Sequence, residues 1–277
     1  MLALVRQAFE GRYEVEREIG KGGNARIFLA RDPGGGQAVA LKILHPELLV
    51  SVAADRFLRE IKLASQLNHP HIAHLLDSGE RDWLVYYVMT YVEGATLREH
   101  MNRQSRLSIA ETLRLADNLL DALEHAHTHG IIHRDVKPEN VVMSPQGAVL
   151  LDFGIARAVW ASGSDRLTRS GIAVGTSTYM SPEQITALKE IDLRSDLYSL
   201  ACVLFECLAG QPPFIHRNEA VVLQMHLTQT APDLRTLRPE IPAELAAGIA
   251  RALAKPPEDR WQTAGAMRDA FAAVPVG

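Results

Sequence analysis

The sequence predicts an α+β protein of two lobes, strands first and helices second. Three observations carry this. Apolar residues make up 47% of the 277 positions, enough for a buried core and too many for a disordered chain. The first ninety residues hold short runs rich in β-branched and aromatic side chains, separated by glycine turns. Beyond "VEGATL" (Val92 to Leu97) the apolar residues recur at helical spacing instead. The change falls at about Met89 to Gly94, and a cleft between two such lobes is a common ligand site.

Each element follows from its local pattern. "YEVEREIG" (Tyr13 to Gly20) and "ARIFLARD" (Ala25 to Asp32) flank a glycine turn, and "DPGGG" (Asp32 to Gly36) leads into "QAVALKIL" (Gln37 to Leu44). This order reads as a three-strand antiparallel meander. A helix is predicted over about Ala53 to Leu67, with Phe57, Ile61 and Ala64 at helical spacing. "HIAHLLDSG" and "WLVYYVMTYV" read as two further strands. Ala110 to Thr128 places Leu113, Ala116, Leu120, Leu123 and His127 along one helical face. "LYSLACVLFECLA" (Leu197 to Ala209) is apolar nearly all round and predicts a buried central helix, started by Ser195 or Asp196 as cap and ended by Gly210 with Pro212 and Pro213.

Composition excludes several classes. The formal net charge is −4 and the pI about 6.3, with basic residues scattered, so nucleic acid is not the expected partner. The two cysteines, Cys202 and Cys207, lie five apart on a predicted helix and point in different directions. They read as core thiols of a reducing compartment, neither disulfide nor zinc site. No apolar run reaches the ~18 residues of a membrane span, and "MLALVRQAF" is too short and polar for a signal peptide. A cytoplasmic chain is expected.

The glycine turn Gly20-Lys21-Gly22-Gly23-Asn24-Ala25 nearly spells G-x-G-x-x-G. A dinucleotide fingerprint needs a following helix and an acidic residue about 20 positions on. Here "RIFLA" follows, and "AVALKIL" lies at the required distance without a carboxylate. A Walker loop needs Gly-Lys-Ser/Thr, which is absent. A phosphate-covering turn and a plain hairpin both remain.

The middle of the chain carries more chemistry. "IIHRDVKPENVVM" (Ile131 to Met143) precedes "LLDFGIA" (Leu150 to Ala156), with the turn "SPQG" (Ser144 to Gly147) between them. A small hairpin of Val141 to Met143 and Ala148 to Leu151 is expected. Asn140 and Asp152 lie six residues either side of Gln146, so pairing across the turn is expected to bring their oxygens to one end. An Asp and an Asn together are hard ligands suited to Mg²⁺ that also binds substrate phosphates.

The glycine turn, the lysine of "VALK", "HRDVKPEN", "DFG" and "SPE" together resemble the eukaryotic-type serine/threonine protein kinases, in the family's order. The resemblance spans about residues 13–273. It implies an N-lobe of about 13–88, a hinge of about 89–94 and a C-lobe of about 95–273, leaving 1–12 as an extension and 274–277 as a tail. It implies ATP and Mg²⁺, with Mn²⁺ as an alternative. Lys42 resembles the lysine that grips the α- and β-phosphates, and Glu60 its helix partner. Asp135 resembles the base for the substrate hydroxyl. Lys137 resembles the lysine that steadies the transferred group in Ser/Thr-specific members, so protein Ser/Thr acceptors are implied. Asn140 and Asp152 take the metal.

The same resemblance implies an ATP pocket. Gly20, Gly22 and Gly23 would cover the phosphates, Ile19, Ile27 and Ala40 form the roof and Val142 the floor. Met89 stands as gatekeeper, and Thr90 to Val92 offer backbone groups to adenine. Ala25, in place of the third glycine, is expected to matter little. Arg134 resembles the arginine that pairs with an activation-segment phosphate, with Thr168 and Ser170 as the implied autophosphorylation sites, reached in trans within a kinase homodimer. Thr176 resembles the threonine that bonds the catalytic Asp and Lys. Glu183 and Arg260 resemble a buried ion pair, and Asp196 the aspartate that braces the catalytic loop. "HRDVKPENVV" with "GTSTYMSPEQ" resembles the bacterial members most. His125, His127 and His129 alternate, and residues two apart on a helix share no face, so they make a poor metal site. His133 reads as a packing residue.

Overall fold

The structure, a computed structural model, describes residues 1–22, 25–34, 36–45, 61, 63–153, 177–186 and 191–275. These divide into two compact units, the first of the described residues up to Val92 together with Phe153, the second of Glu93–Asp152 and the described residues from Ser177 on.

The first unit is built on a five-stranded antiparallel sheet in the order β1-β2-β3-β5-β4. The strands are β1 (Glu14–Lys21), β2 (Ala25–Arg31), β3 (Ala38–Leu44), β4 (Leu75–Arg81) and β5 (Leu84–Thr90). The predicted meander is present, with Ile27 opposite Lys42 and Ala40 opposite Met89. Alternation along the strands sorts side chains onto two faces. Phe28, Ala30, Val39, Leu41, Ile43, Tyr86 and Val88 share one apolar cluster. Ala25, Ala40, Leu44, Val85, Tyr87 and Met89 share the other, joined by Ile61. Of the helix predicted over 53–67, only Ile61, Leu63 and Ala64 are described as helical. β4 begins at Leu75, later than "HIAHLLDSG" suggested, and reaches β5 through a two-residue turn. Asp82 and Trp83 there have φ 46° and 69°, the left-handed pair that suits a tight hairpin.

The first cluster includes residues the sequence set apart. Helix α1 (Leu2–Ala8) and the turn after it bury Val5 and Phe9 completely. Phe9 meets Tyr86 edge-on, ring centroids 4.8 Å apart. Burying two such side chains stabilises by about 1.5–3 kcal/mol each.

The second unit is mainly helical. Its small sheet orders β6 (Ala95–Thr96), β7 (Val141–Ser144) and β8 (Gly147–Leu150). Gly94, at φ +152°, leads into it, and a Cβ there would lie 2.3 Å from the Met143 carbonyl oxygen. Only glycine lets these backbones approach so closely. Helices α2 (Leu97–Arg103) and α3 (Ile109–Thr128) each begin with a reciprocal capping box, Thr96 with Glu99 and Ser108 with Glu111.

Helix α4 (Arg194–Ala209) is the predicted central helix, buried from Ser195 to its end. Gly210 stops it in the left-handed region at φ +78°. The predicted cap is corrected. Leu193 stands at the N-cap without a side-chain bond, and Ser195 and Asp196 lie inside the first turn. Their side chains are taken by partners distant in sequence, described below. Cys202 and Cys207 are free and buried, and burial pushes both thiols up, which suppresses thiolate reactivity. Among the described residues, no helix is long and apolar enough to cross a membrane.

Candidate active site

The catalytic-loop motif lies in the second unit as irregular chain between α3 and β7. Without a ladder, its backbone needs other partners. Asp196 supplies them from α4. One carboxylate oxygen accepts the His133 N–H at 2.8 Å, the other the Arg134 N–H at 2.7 Å. His127 Nε2 reaches the same carboxylate at 2.8 Å. Burial alone would raise the Asp196 carboxyl. The His127 bond and charge and the Arg134 N–H outweigh it and hold the carboxyl below its usual range. Gln184 Nε2 donates to the Arg134 carbonyl at 2.8 Å. Arg134 itself sits at φ 67°, in the left-handed region, so the loop is held in a conformation it would not choose alone.

Asp135 emerges from this frame. Its N–H donates to His133 Nδ1 at 3.1 Å, while His133 Nε2 lies 2.7 Å from the Leu151 carbonyl oxygen. The ring is therefore the Nε2–H tautomer with both nitrogens engaged, a packing residue as the sequence suggested. Lys137 Nζ lies 2.7 Å from Asp135 Oδ2. Asn140 Nδ2 donates to that same oxygen at 2.9 Å and to the Asp135 carbonyl at 2.8 Å. Among the described residues, both side-chain contacts fall on Oδ2, which leaves Oδ1 to accept a proton.

The expected pairing of Asn140 with Asp152 is corrected. Ser144 pairs with Gly147 and Val141 with Leu150, so the hairpin turns about the Pro145–Gln146 bond. Asn140 therefore stands opposite Leu151, whose N–H donates to the Asn140 carbonyl at 2.8 Å. Asp152 lies one residue beyond and adopts φ 65°, which turns the chain out of strand geometry. Asn140 spends its side-chain amide hydrogens on Asp135, so its side-chain oxygen Oδ1 is the atom it offers a cation. An amide oxygen and a carboxylate fit Mg²⁺, which completes its shell with phosphate and water. Among the described residues, no three His, Cys, Asp or Glu cluster as a metal cage.

In the first unit, Lys42 projects from β3 between buried Leu41 and Ile43, with Nζ 5.5 Å from the Tyr87 ring centroid. Ala40 and Met89 are buried opposite one another, and Ile27 packs against their cluster. Ile19, Thr90 and Val92 are partly exposed. Gly20 lies opposite Ile27, and the Gly22 N–H closes the turn on the Ala25 carbonyl at 2.9 Å. Among the described residues, a Cβ on Gly22 would meet only that carbonyl, at 3.8 Å, so none of them demands glycine there. In the second unit, Val142 is buried in β7. Glu60, Gly23, Thr168, Ser170 and Thr176 lie outside the described residues.

Arg260 is fully buried and grips Glu183 through two bonds of 2.7 and 2.9 Å. Ser195 Oγ donates to Glu183 as well. Burial opposes ionisation of Glu183, but the Arg260 bonds and charge prevail and keep its carboxyl low.

Two residues of this site had no motif to mark them. His127 was assigned to an apolar face and instead bonds Asp196. His125 and His129 meet at a tilt of 41°, ring centroids 4.5 Å apart. Gln184 caps Ser181 through its backbone and side chain, yet also reaches Arg134. Only their distant partners give these residues roles.

The sequence profile of the protein kinase domain matches residues 13–272. The chain belongs to the protein kinase family. It is 40% identical over 265 residues to a probable serine/threonine-protein kinase of Streptomyces coelicolor, covering 93% of this chain and 39% of the relative. It is 39% identical over 268 residues to the serine/threonine-protein kinase PknB of Mycolicibacterium smegmatis, covering 95% and 43%. Against PknB of Mycobacterium tuberculosis the identity is 40% over 263 residues, covering 93% and 42%. The chain thus spans about two fifths of the length of these relatives.

Proposed function

We propose that the chain is a serine/threonine protein kinase that transfers the γ-phosphoryl group of ATP to Ser or Thr hydroxyls of protein substrates. The observation that carries it is the state of Asp135: Oδ2 is held by Lys137 and Asn140, and Oδ1 is left for the acceptor. The acceptor oxygen forms a bond to the γ-phosphorus, its proton passes to Asp135, and the bond from phosphorus to the β–γ bridging oxygen breaks. Lys137, beside Asp135, steadies the moving group. Lys42 pairs with the α- and β-phosphates. Asn140 and Asp152 are the residues that would hold Mg²⁺ (or Mn²⁺), which would neutralise phosphate charge when bound. Such catalysis is mostly positioning and charge stabilisation. Ile27, Ala40 and Met89 of the first unit are the apolar residues suited to adenine, and Val142 is the residue of the second unit that the family resemblance assigns to it.

The test is transfer of labelled phosphate from ATP to a generic basic protein. Asp135→Asn is expected to lose about 10²- to 10⁴-fold in rate, the usual weight of a general base. Equal transfer by both proteins overturns the assignment.

Activation by autophosphorylation belongs to the same proposal, at Thr168 or Ser170 and in trans between two copies. Arg134 is the cation that would receive the phosphate, which adds about −1.5 to −2 charge. Mass spectrometry of active protein is expected to find one or both modified, and finding neither overturns this part. A cytoplasmic setting accords with the two free thiols.

A further inference from the structure

Arg98, on the first turn of α2, gathers more charged partners than its place in the sequence suggests. Its Nε donates to Glu139 at 2.9 Å. Its two terminal nitrogens donate to Glu206, at 2.7 and 3.4 Å, and the second also to the Tyr179 hydroxyl. That hydroxyl in turn donates to Glu206. The partners come from three places. Glu139 sits in the 3₁₀ turn Pro138–Asn140, between Lys137 and Asn140. Tyr179 lies just before the "SPE" segment, and Glu206 is a buried residue of α4. Two carboxylates and a phenol thus converge on one guanidinium, the geometry that binds arginine bidentately. Burial disfavours the charged Arg98, yet the bonds from Glu206 and Glu139 keep it firmly protonated. The cluster is open to solvent on one side, where the Arg98 side chain is 28% and Glu139 47% exposed.

We propose that Arg98 sets the charge preference for acceptor peptides: the protein's own guanidinium fills an acidic site beside the catalytic loop. The inference rests on the kinase reading above, because Glu139 matters to a peptide only if Asp135 receives its hydroxyl. With Arg98 in place, its guanidinium cancels one of the two negative charges and occupies the donor positions facing both carboxylates, so a basic residue near the acceptor gains little. Removing the guanidinium leaves Glu139, Glu206 and Tyr179 as a ready-made receptor for a peptide arginine. Removing Glu139 instead leaves Arg98 balanced by Glu206 alone and frees its Nε–H, so an acidic peptide is favoured relative to wild type.

The experiment compares kcat/KM for three peptides that differ only in bearing Arg, Ala or Glu two or three residues from the acceptor, with wild type, Arg98→Ala and Glu139→Gln. Wild type is expected to treat the three within a few-fold. Arg98→Ala is expected to shift the Arg-to-Ala ratio by about tenfold, the worth of one charge-assisted bond pair. Free guanidinium at millimolar concentration is expected to reverse that shift. Glu139→Gln, an exposed change that does not threaten folding, is expected to shift the Glu-to-Ala ratio upward. A merely structural role for Arg98 would lower all three rates together and leave the ratios alone. Unchanged ratios in Glu139→Gln overturn the inference even if Arg98→Ala fails to fold. No transfer to any peptide by wild type would instead overturn the kinase reading.

Discussion

Lys42 and Asp135 stand on different kinds of backbone. Lys42 is on a central strand, and pairing with Ile27 on one side and Tyr87 on the other fixes its position. The ladder satisfies its own N–H and C=O groups, so no side chain is needed to hold that stretch. Asp135 is on a loop with no ladder, and Asp196, Gln184, His133 and Asn140 must bond the backbone around it. A strand places a side chain through local pairing and leaves few special debts. A loop can aim a residue in a direction no strand allows, here with Arg134 at positive φ, but it depends on polar groups from other elements. Changes near Asp135 should therefore cost stability and activity together, and changes at Lys42 activity alone.

The hardest blow to this contrast is Asp196→Asn. An amide cannot accept from both backbone N–H groups and His127 as the carboxylate does. Removing one partner of a buried charged network costs about 3–5 kcal/mol, and transfer should fall with it. Denaturant unfolding beside a transfer assay checks both. The acid limb offers a second readout. The folded carboxyl of Asp196 is held below its unfolded value of 3.8, so its stabilisation is fully present above that value and is lost as pH falls through the lower folded one. Wild type should lose stability there more steeply than Asp196→Asn. Next in size is Lys42→Met, expected to lower transfer by about a hundredfold or more while the melting temperature stays within a few degrees. A large loss of stability there would break the comparison.

The smallest effects sharpen it. Gly22→Val should raise KM for ATP about tenfold by filling space a phosphate needs, with little loss of stability, since no described neighbour crowds the new Cβ. Ala25→Gly should do the reverse. The Ala25 methyl is buried against Leu44 and Ile61, so its loss should cost about 0.5–1 kcal/mol of stability and leave KM for ATP near wild type. Thermal melts and ATP titrations of the two variants separate these outcomes.

Much of this was legible in the sequence because it is local. Alternation gave the meander, helical spacing gave α3 and α4, and motif order pointed to Asp135, Lys137, Asn140 and Lys42. Most of the misses share one cause, partners far along the chain, and one is a local error of register. Ser195 and Asp196 have ideal capping chemistry, yet Glu183 and the catalytic loop claim them. Counting six residues either side of Gln146 misplaced Asp152, because the turn has two residues and its centre falls between them. Arg98 looks like any surface arginine of a helix, and its partners lie 41, 81 and 108 residues away.

Helix α1 sets a practical boundary. The family profile begins at residue 13, but the physical unit begins earlier. A recombinant fragment trimmed to Tyr13 would uncover the greasy patch around Phe28, Leu41 and Tyr86 that Val5 and Phe9 now shield. Such a fragment should express poorly or clump, and biochemists choosing where to cut should keep the first dozen residues.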